Sequence, residues 1–308
     1  MRLQTHSFGD YTFRPHAVFP SVAAAAAAAD DATGTPRRWD FVVVTTKALP
    51  DRADDSAAVA PLVGPGTALV LIQNGFAVEV PYRARFPAAA LVSAVTVVSA
   101  EQARPGLVVQ NRWTRVHLGP YTDSAAEASS SSAPDAELAA RGAKAAESLA
   151  AWLRAGGVRD AEALDEAALQ TVRWHKLTIN AAFNPTAVLS GGRGAAAMVR
   201  DPALRAHLAG VMDEIASAAP AVLGAPFPAG LAGPEQILRS SARNEAGRPS
   251  MLLDWEAGRP LELEVILGNP VRVARARGVE MPRLHAMYAL LKSMQALRDE
   301  KTAAKEKL

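Results

Sequence analysis

Three stretches in the first third of the chain are almost continuously apolar and β-branched, and polar or turn-forming residues bound each of them: 39–47, 69–73 and 90–98. Runs of this kind are typical of strands that are covered on both faces, as in a parallel sheet. The segments between them have lengths that suit helices or long loops, which indicates an α/β domain. Residues 105–110 and 115–120 predict two shorter, antiparallel strands.

Beyond about Leu164 the strand pattern ends, and the remaining segments have helix length and are rich in alanine and leucine. Between the two patterns, residues 121–134 turn to serine and alanine with four consecutive serines, which predicts a flexible, exposed insertion. Residues 136–155 then predict a helix. We therefore expect a mixed α/β domain over residues 1–164 and an all-α domain over residues 165–308.

Length and composition narrow the class of protein. A chain of 308 residues is long enough for two domains. With 33 basic and 31 acidic residues the net charge is only +2, so no broad field attracts nucleic acid or an anionic membrane. The absence of cysteine excludes disulfides and thiolate chemistry, and six scattered histidines predict no metal site. No run of about 18 apolar residues predicts a membrane span, so we expect a soluble, cytoplasmic protein.

Candidate chemistry is concentrated in residues 171–185. If this stretch is helical, steps of four residues place Lys176, Asn180 and Asn184 in one polar stripe. The flanking residues are apolar, namely Trp174, Leu177, Ile179 and Phe183, so most of the helix is predicted to be packed. An anionic, carbonyl-bearing small molecule would supply acceptors for the ammonium and both amides. The alternative interpretation is an amphipathic helix whose lysine extends to solvent while its amides cap neighbouring backbone.

Polar residues also follow the predicted strands. Asn74 and Gly75 come directly after the second buried strand, and Lys47 ends the first. Ligands of open α/β sheets bind outside the carboxyl ends of the strands, so Asn74 is a candidate ligand of a substrate and Lys47 of a phosphate. Gly75 permits a positive φ or a close backbone approach. The alternatives are a plain Asn-Gly turn and a solvated lysine.

A second dense segment spans residues 248–268. Pro249 predicts the start of a helix, and Ser250 is placed to cap that helix or to bind an anion. The sequence Gly258-Arg-Pro260 predicts a break and a new helix, whose first turn contains Glu262 and Glu264. Acidic residues at this place usually complement the helix dipole, so at most one of the two is expected to face a pocket.

Taken together, four separated blocks resemble the ketopantoate reductase family, in the same order, from about residue 38 to residue 292. The blocks are Thr46-Lys47 with Gln73-Asn-Gly75, Trp174-His-Lys176 with Asn180 and Asn184-Pro185, Ser250 to Asp254, and Glu262. The resemblance implies an NADPH-dependent reduction of 2-dehydropantoate, a 2-oxo acid, to pantoate. It also implies a Rossmann-type dinucleotide-binding domain, a helical C-terminal domain and a site in the cleft between the two domains.

The resemblance also implies roles for particular residues. Lys176 would be the general acid, and Glu262 would hydrogen-bond to cofactor or substrate and tune Lys176. Four residues would contact the substrate: Asn74, Asn180, Asn184 and Ser250. Four would line the cofactor channel: Lys47, Asn74, Ala100 and Glu262.

This sequence departs from the family pattern in two places. The family opens with a buried strand, a GxGxxG turn and a helix, and no GxGxxG occurs in this chain. We therefore expect an incomplete, amino-terminally truncated Rossmann domain with an exposed strand edge at 41–44. Gly191 to Gly194, with Arg193, stand where the family often has another amide, which allows a different 2-oxo acid as substrate. The alternative function is a non-catalytic relative, without cofactor binding, that binds a small acid or serves assembly, and the apolar helical half makes a homodimer a candidate.

Overall fold

The computed structural model describes residues 1–29, 34–35, 37–111, 114–122 and 133–305. Most of the predicted Ser/Ala insertion, residues 123–132, lies outside this described part. The chain forms two compact units. The first unit comprises Met1–Thr46, Asp54–Gln73 and Glu79–Leu169, and the second comprises Lys47–Ala53, Asn74–Val78 and Gln170–Leu308.

Within its described residues, the first unit contains two sheets and four helices. Its strands are β1 (Arg2–Thr5), β2 (Tyr11–Thr12), β3 (Phe41–Val44), β4 (Ala68–Leu71), β5 (Ala90–Val97), β6 (Ala100–Arg104), β7 (Leu107–Gln110), β8 (Arg115–Pro120) and β9 (Asp160–Ala163). Its helices are α1 (Val22–Ala27), α2 (Asp55–Val59), α3 (Val80–Arg85) and α4 (Ala133–Ala155), with a 3-10 turn at Ala60–Leu62. The helix predicted over residues 136–155 is therefore confirmed, with a start three residues earlier.

The larger sheet has the strand order β3-β4-β5-β8-β9. The three continuously apolar runs form its parallel strands β3, β4 and β5, and β8 joins β5 in the antiparallel sense. The smaller sheet has the order β2-β1-β7-β6, in which β7 is antiparallel to β6. The prediction of a parallel-rich α/β fold is confirmed. Each of the two strands predicted to be antiparallel also has a parallel neighbour, because β7 pairs with β1 and β8 pairs with β9 in the parallel sense.

Strand β3 is less covered than the sequence predicts. Val42 and Val44 are buried, but Val43 on the opposite face is 46% exposed. On this face the Trp152 ring of helix α4 packs edge-on against the Phe41 ring, with 5.3 Å between the ring centroids. Helix α4 does not cover Val43, which stays in contact with solvent. Because β3 is also the last strand at its end of the described sheet, burial on both faces was a wrong prediction. The exposed edge expected at 41–44 is present.

The second unit is helical, as predicted. Its helices are α5 (Glu166–Leu189, which begins in the first unit), α6 (Ala195–Arg200), α7 (Pro202–Leu223), α8 (Pro234–Ala242), α9 (Ser250–Glu256), α10 (Asn269–Ala276) and α11 (Pro282–Lys305). Helix α5 contains the whole stretch 171–185. Trp174 is fully buried and donates its indole N–H to the Ile215 carbonyl at 2.8 Å. Ile179 is exposed, because five residues turn a helix by about 500° and so carry it away from the Trp174 face.

The segment after α9 differs from the prediction of a helix that begins at Pro260. Helix α9 ends at Glu256 and Gly258 has φ +68°, so the predicted break is present. A π-helical turn, Glu264–Gly268, follows, and Glu262 precedes it. The reason is that the Leu261 carbonyl accepts the Leu263 N–H at 2.8 Å and is therefore not available to the N–H four residues later. The Glu262 carbonyl is the one that accepts such a bond, from the Ile266 N–H at 3.1 Å.

Among the described residues, no helix combines the length and the apolar character needed to cross a bilayer.

Candidate active site

Lys176 is part-buried on α5, and its ammonium donates a hydrogen bond to Asn74 Oδ1 at 2.7 Å. The pKa of Lys176 is lowered to about 8: burial lowers it most, the positive charge of Arg173 also lowers it, and the negative charge of Glu262 opposes both. The lysine therefore neither extends freely to solvent nor keeps the pKa of an ordinary surface lysine. An ammonium poised near neutral pH is suited to giving up a proton.

Backbone contacts within the second unit hold the turn that carries Asn74. The Phe76 N–H donates to the Val265 carbonyl of the π-helical turn at 2.8 Å. The Phe76 carbonyl accepts from the Asn269 side chain at 2.9 Å, and the Phe76 ring packs edge-on against Trp174. Both peptide groups of Phe76 are thus bound. Asn74 is presented to Lys176 by a fixed turn.

Glu262 is 6% exposed and accepts the Ala48 N–H at 3.3 Å. The Asn74 side chain also interacts with this carboxylate and lowers its pKa. Because Asn74 Oδ1 accepts from Lys176, the amide N–H of Asn74 is the group left to interact with Glu262. Burial raises the pKa of Glu262, and the cations Lys47 and Lys176 oppose that rise. Asn74 therefore links the ammonium of Lys176 to a buried carboxylate.

Lys47 belongs to an ion-pair cluster beside Glu262. Its ammonium is paired with the buried carboxylate of Asp254, whose other oxygen accepts from Arg259 Nε at 2.9 Å. Burial lowers the pKa of Lys47, Glu262 opposes this, and the charge of Arg259 lowers it further. Two cations thus share one buried carboxylate, which leaves the cluster with a surplus of positive charge next to Glu262.

Three predicted ligands of the substrate have side chains without a protein partner in the described part of the chain: Asn180, Asn184 and Ser250. Asn184 is only 5% exposed. Asn180 and Asn184 follow Lys176 along α5 at rises of about 6 and 12 Å. They do not cap neighbouring backbone, as the alternative interpretation required. Their amides remain available to a bound molecule.

The predicted residues fall into four sets. Lys47, Asn74, Lys176 and Glu262 form one hydrogen-bonded and electrostatically coupled group in the second unit. The free amides lie on the same helix as Lys176. Ser250 is the exposed first residue of α9 and forms no hydrogen bond with that group; it also does not cap the helix. Ala100 is the exposed first residue of β6 in the first unit, where it pairs with Gln110.

Three side chains at the site were not predicted, namely Arg173, Asp254 and Arg259. Arg173 is buried and donates to the Gly75 carbonyl at 2.9 Å, which makes a further contact with the Asn74 turn. Asp254 is the partner of Lys47. The sequence spacing pointed to two of them. Arg173 lies three residues before Lys176 on one face of α5, and Asp254 lies four residues after Ser250 on one face of α9.

Comparison with known proteins gives consistent matches over nearly the whole chain. Residues 1–123 match the family model described as ketopantoate reductase PanE/ApbA, and residues 168–295 match the model of its C-terminal part. A 2-dehydropantoate 2-reductase of Caulobacter vibrioides is 30% identical over 261 residues, which is 82% of this chain and 76% of that protein. An uncharacterized protein of Saccharomyces cerevisiae is 29% identical over 312 residues, covering 92% of this chain and 78% of its own length. A crystal structure of 2-dehydropantoate 2-reductase from Methylococcus capsulatus superposes with a TM-score of 0.77 at 31% identity, covering 97% of this chain and 84% of the other.

Proposed function

The chain belongs to the ketopantoate reductase family, and from this premise we propose that it reduces 2-dehydropantoate, or a related 2-oxo acid, to the 2-hydroxy acid with NADPH. The observation that carries the proposal is the hydrogen bond from the Lys176 ammonium to Asn74, whose side chain also interacts with buried Glu262. An acid of lowered pKa that is oriented by a fixed turn suits protonation of a ketone oxygen.

In the proposed mechanism Lys176 is the general acid. When bound, NADPH supplies the hydride that the ketone carbon receives. The Lys176 ammonium donates a hydrogen bond to the ketone oxygen, stabilises the negative charge that develops there and transfers one proton to it. The neutral amine then recovers a proton from solvent. Because burial lowers the pKa of Lys176 to about 8, this transfer is easier than from an ordinary lysine, while most of the ammonium remains charged at pH 7.

Asn74 and Glu262 keep the acid oriented and charged. Asn74 fixes the direction of the ammonium through its carbonyl oxygen, and the same side chain interacts with Glu262. The negative charge of Glu262 offsets part of the loss of solvation that Lys176 suffers on burial. We assign Glu262 the role of maintaining the protonated form of Lys176.

Asn180, Asn184 and Ser250 are proposed to bind the carboxylate and hydroxyl groups of the substrate. Their donors are unoccupied in the described structure, and two of them extend along the helix from Lys176. Donors that no protein group binds can pair with ligand oxygens without first breaking a hydrogen bond inside the protein. This favours an anionic substrate with several oxygens near its ketone.

The described residues fit one end of a dinucleotide. Lys47 and Asn74 follow β3 and β4 within three residues, which places them in sequence at the carboxyl ends of parallel strands. Together with Glu262 they provide an ammonium, an amide and a carboxylate for a nicotinamide ribose, and exposed Ala100 stays a predicted lining residue. Without GxGxxG in the sequence, the pyrophosphate is assigned to none of the described residues.

The pH dependence of turnover is a direct consequence of the lowered lysine pKa. We expect kcat/KM for the 2-oxo acid to be level near neutral pH and to fall about tenfold per unit above pH about 8, because only the ammonium form of Lys176 acts as an acid. Oxidation of the 2-hydroxy acid should show the opposite limb, since it requires the neutral amine. Initial rates in both directions check this. If kcat/KM for reduction and for oxidation changed with pH in the same direction, the role of Lys176 would be contradicted.

Removal of a free amide should affect the substrate more than the cofactor. We expect Asn184→Ala to raise KM for the 2-oxo acid by about 10- to 100-fold, because a hydrogen bond to a charged group contributes about 1.5 to 3 kcal/mol. KM for NADPH should stay unchanged. The control is Asn111→Ala, an exposed asparagine in the first unit. Equal changes in the two KM values would argue against a substrate contact.

Turnover by the purified chain tests the proposed function. Oxidation of NADPH should require the chain and 2-dehydropantoate together, and a panel of other 2-oxo acids should rank the substrates. The side chains of Asn180 and Asn184, which no protein group binds, also fit a second candidate, a small-acid-binding relative that does not use the cofactor. Isothermal titration separates the two, because the second candidate binds pantoate without binding NADPH and produces no turnover.

A further inference from the structure

Helix α11 contacts the segment that contains Glu262 through one row of polar side chains. Tyr288, Lys292 and Gln295 are spaced by four and three residues and therefore lie on the same helical face. Two of them bind Glu264 and the third binds the backbone at Leu261. Leu261, directly before Glu262, and Glu264, two residues after it, are thus both attached to α11.

Gln295 makes the contact next to Glu262. It is the buried polar side chain of α11, 4% exposed, and its Oε1 accepts the Leu261 N–H at 2.7 Å. The Leu261 carbonyl accepts the Leu263 N–H, and the Glu262 carbonyl accepts the Ile266 N–H at 3.1 Å. The peptide groups on both sides of Glu262 are therefore occupied, which limits the directions in which its side chain can point.

The Glu264 contacts support the same segment from the other side. Its carboxylate accepts from the Tyr288 hydroxyl at 2.5 Å, from Lys292 at 3.1 Å and from Arg272 at 2.7 Å. These bonds hold the first turn of the π-helical segment. They do not reach the Leu261 peptide, so the Leu261 N–H depends on Gln295 alone among the described residues.

We propose that Gln295 is a positioning residue for Glu262: its side-chain carbonyl holds the Leu261 peptide so that the Glu262 carboxylate meets Asn74 and acts on Lys176. The inference rests on the proposed function, in which Lys176 is the acid. Gln295 itself contacts none of the proposed reacting groups.

The charges around these groups set the direction of the effect. Lys176 is influenced by Arg173 and Glu262, and Glu262 by Lys47 as well as Lys176. Arg259 and the buried Asp254 complete the charged surroundings. Glu262 is the anion that raises the pKa of Lys176. If Glu262 is displaced, burial and the charge of Arg173 still lower that pKa and nothing offsets them. The pKa of Lys176 should then fall.

The experiment compares Gln295→Met, Gln295→Glu and wild type. Methionine has a similar shape but no carbonyl, so the pH above which kcat/KM falls, the alkaline limb, should be lower by roughly one unit. Glutamate retains an acceptor for the Leu261 N–H and adds negative charge, so its limb should stay or move up. Thr186→Val is the control, because it removes a buried hydroxyl that donates within α5 and to Met287. It should lower stability without moving the limb.

A second readout does not need turnover. The ammonium of Lys176, observed by NMR in protein labelled at the lysine side-chain carbons and assigned with Lys176→Met, should titrate at lower pH in Gln295→Met than in wild type. If wild type oxidises no NADPH, the proposed function fails while this titration still tests the positioning role. If Gln295→Met does not fold, Gln295→Asn, whose shorter side chain cannot reach Leu261, takes its place. An unchanged titration, or equal downward shifts in the Met and Glu variants, would overturn the proposal.

Discussion

Replacing Lys176 with methionine is expected to lower kcat for reduction of the 2-oxo acid by about 10²- to 10⁴-fold, the usual contribution of a general acid. Methionine fills a similar volume but has no proton to give to the ketone oxygen. It also releases Asn74 Oδ1 from the hydrogen bond that now binds it at 2.7 Å. Single-turnover measurements with saturating cofactor would show whether the loss lies in the chemical step.

The same substitution should not weaken the fold. The pKa of Lys176 is about 8 in the folded chain and 10.5 in an exposed lysine, so the folded state disfavours the charged form. This penalty is fully present below pH 8 and disappears as pH rises toward 10.5. Removing the charge should therefore raise the free energy of unfolding at pH 7 by up to about 3 kcal/mol. The loss of the hydrogen bond to Asn74 will offset part of this gain.

Urea unfolding of both proteins at neutral and at alkaline pH measures this effect, and the gain should shrink as pH rises. The matched control is Lys301→Met, the same change at an exposed position of α11. It should leave turnover and stability near the wild-type values. A Lys176→Met protein that is folded and fully active would rule out the proposed acid.

Gly75→Ala should be the most damaging small substitution in the chain's proposed site. Gly75 has φ +92°, and a Cβ at this position would lie 2.5 Å from both Cβ and the carbonyl oxygen of Val265. The positive φ costs an alanine about 1 to 2 kcal/mol, and overpacking against a backbone oxygen costs typically 1 to 3 kcal/mol. We expect the free energy of unfolding to fall by roughly 2 to 5 kcal/mol.

Activity should be lost as well, because the turn can relieve the clash only by moving Asn74 away from Lys176 and the Phe76 N–H away from Val265. The control Gly224→Ala measures the cost of a positive φ without the steric clash. Gly224 also lies in the second unit with φ +79°, but nothing lies within 4 Å of a Cβ placed there. We expect about 1 to 2 kcal/mol for this control. Equal destabilisation of the two variants would mean that the close approach to Val265 does not matter.

Periodicity predicted much of the fold. The apolar runs at 69–73 and 90–98 became β4 and β5 because a strand buried on both faces needs no polar alternation. The run at 39–47 has the same composition, yet Val43 in β3 is exposed. An apolar sequence allows a strand to be buried on both faces, but whether it is buried depends on which elements pack against it. That information lies in other parts of the chain.

The sequence by itself determined the local geometry of the proposed site: a helix over 171–185 with an ammonium and two amides on one face, and an Asn-Gly turn after a strand. These features follow from helical and strand repeats, which act over a few residues. Only the tertiary structure decided the partners. Lys176 meets Asn74 across 102 residues, and Lys47 meets Asp254 across 207. No periodic pattern encodes such contacts, because they arise when packing of the helical unit removes side chains from water and leaves each charge to be matched by whatever group the fold brings beside it.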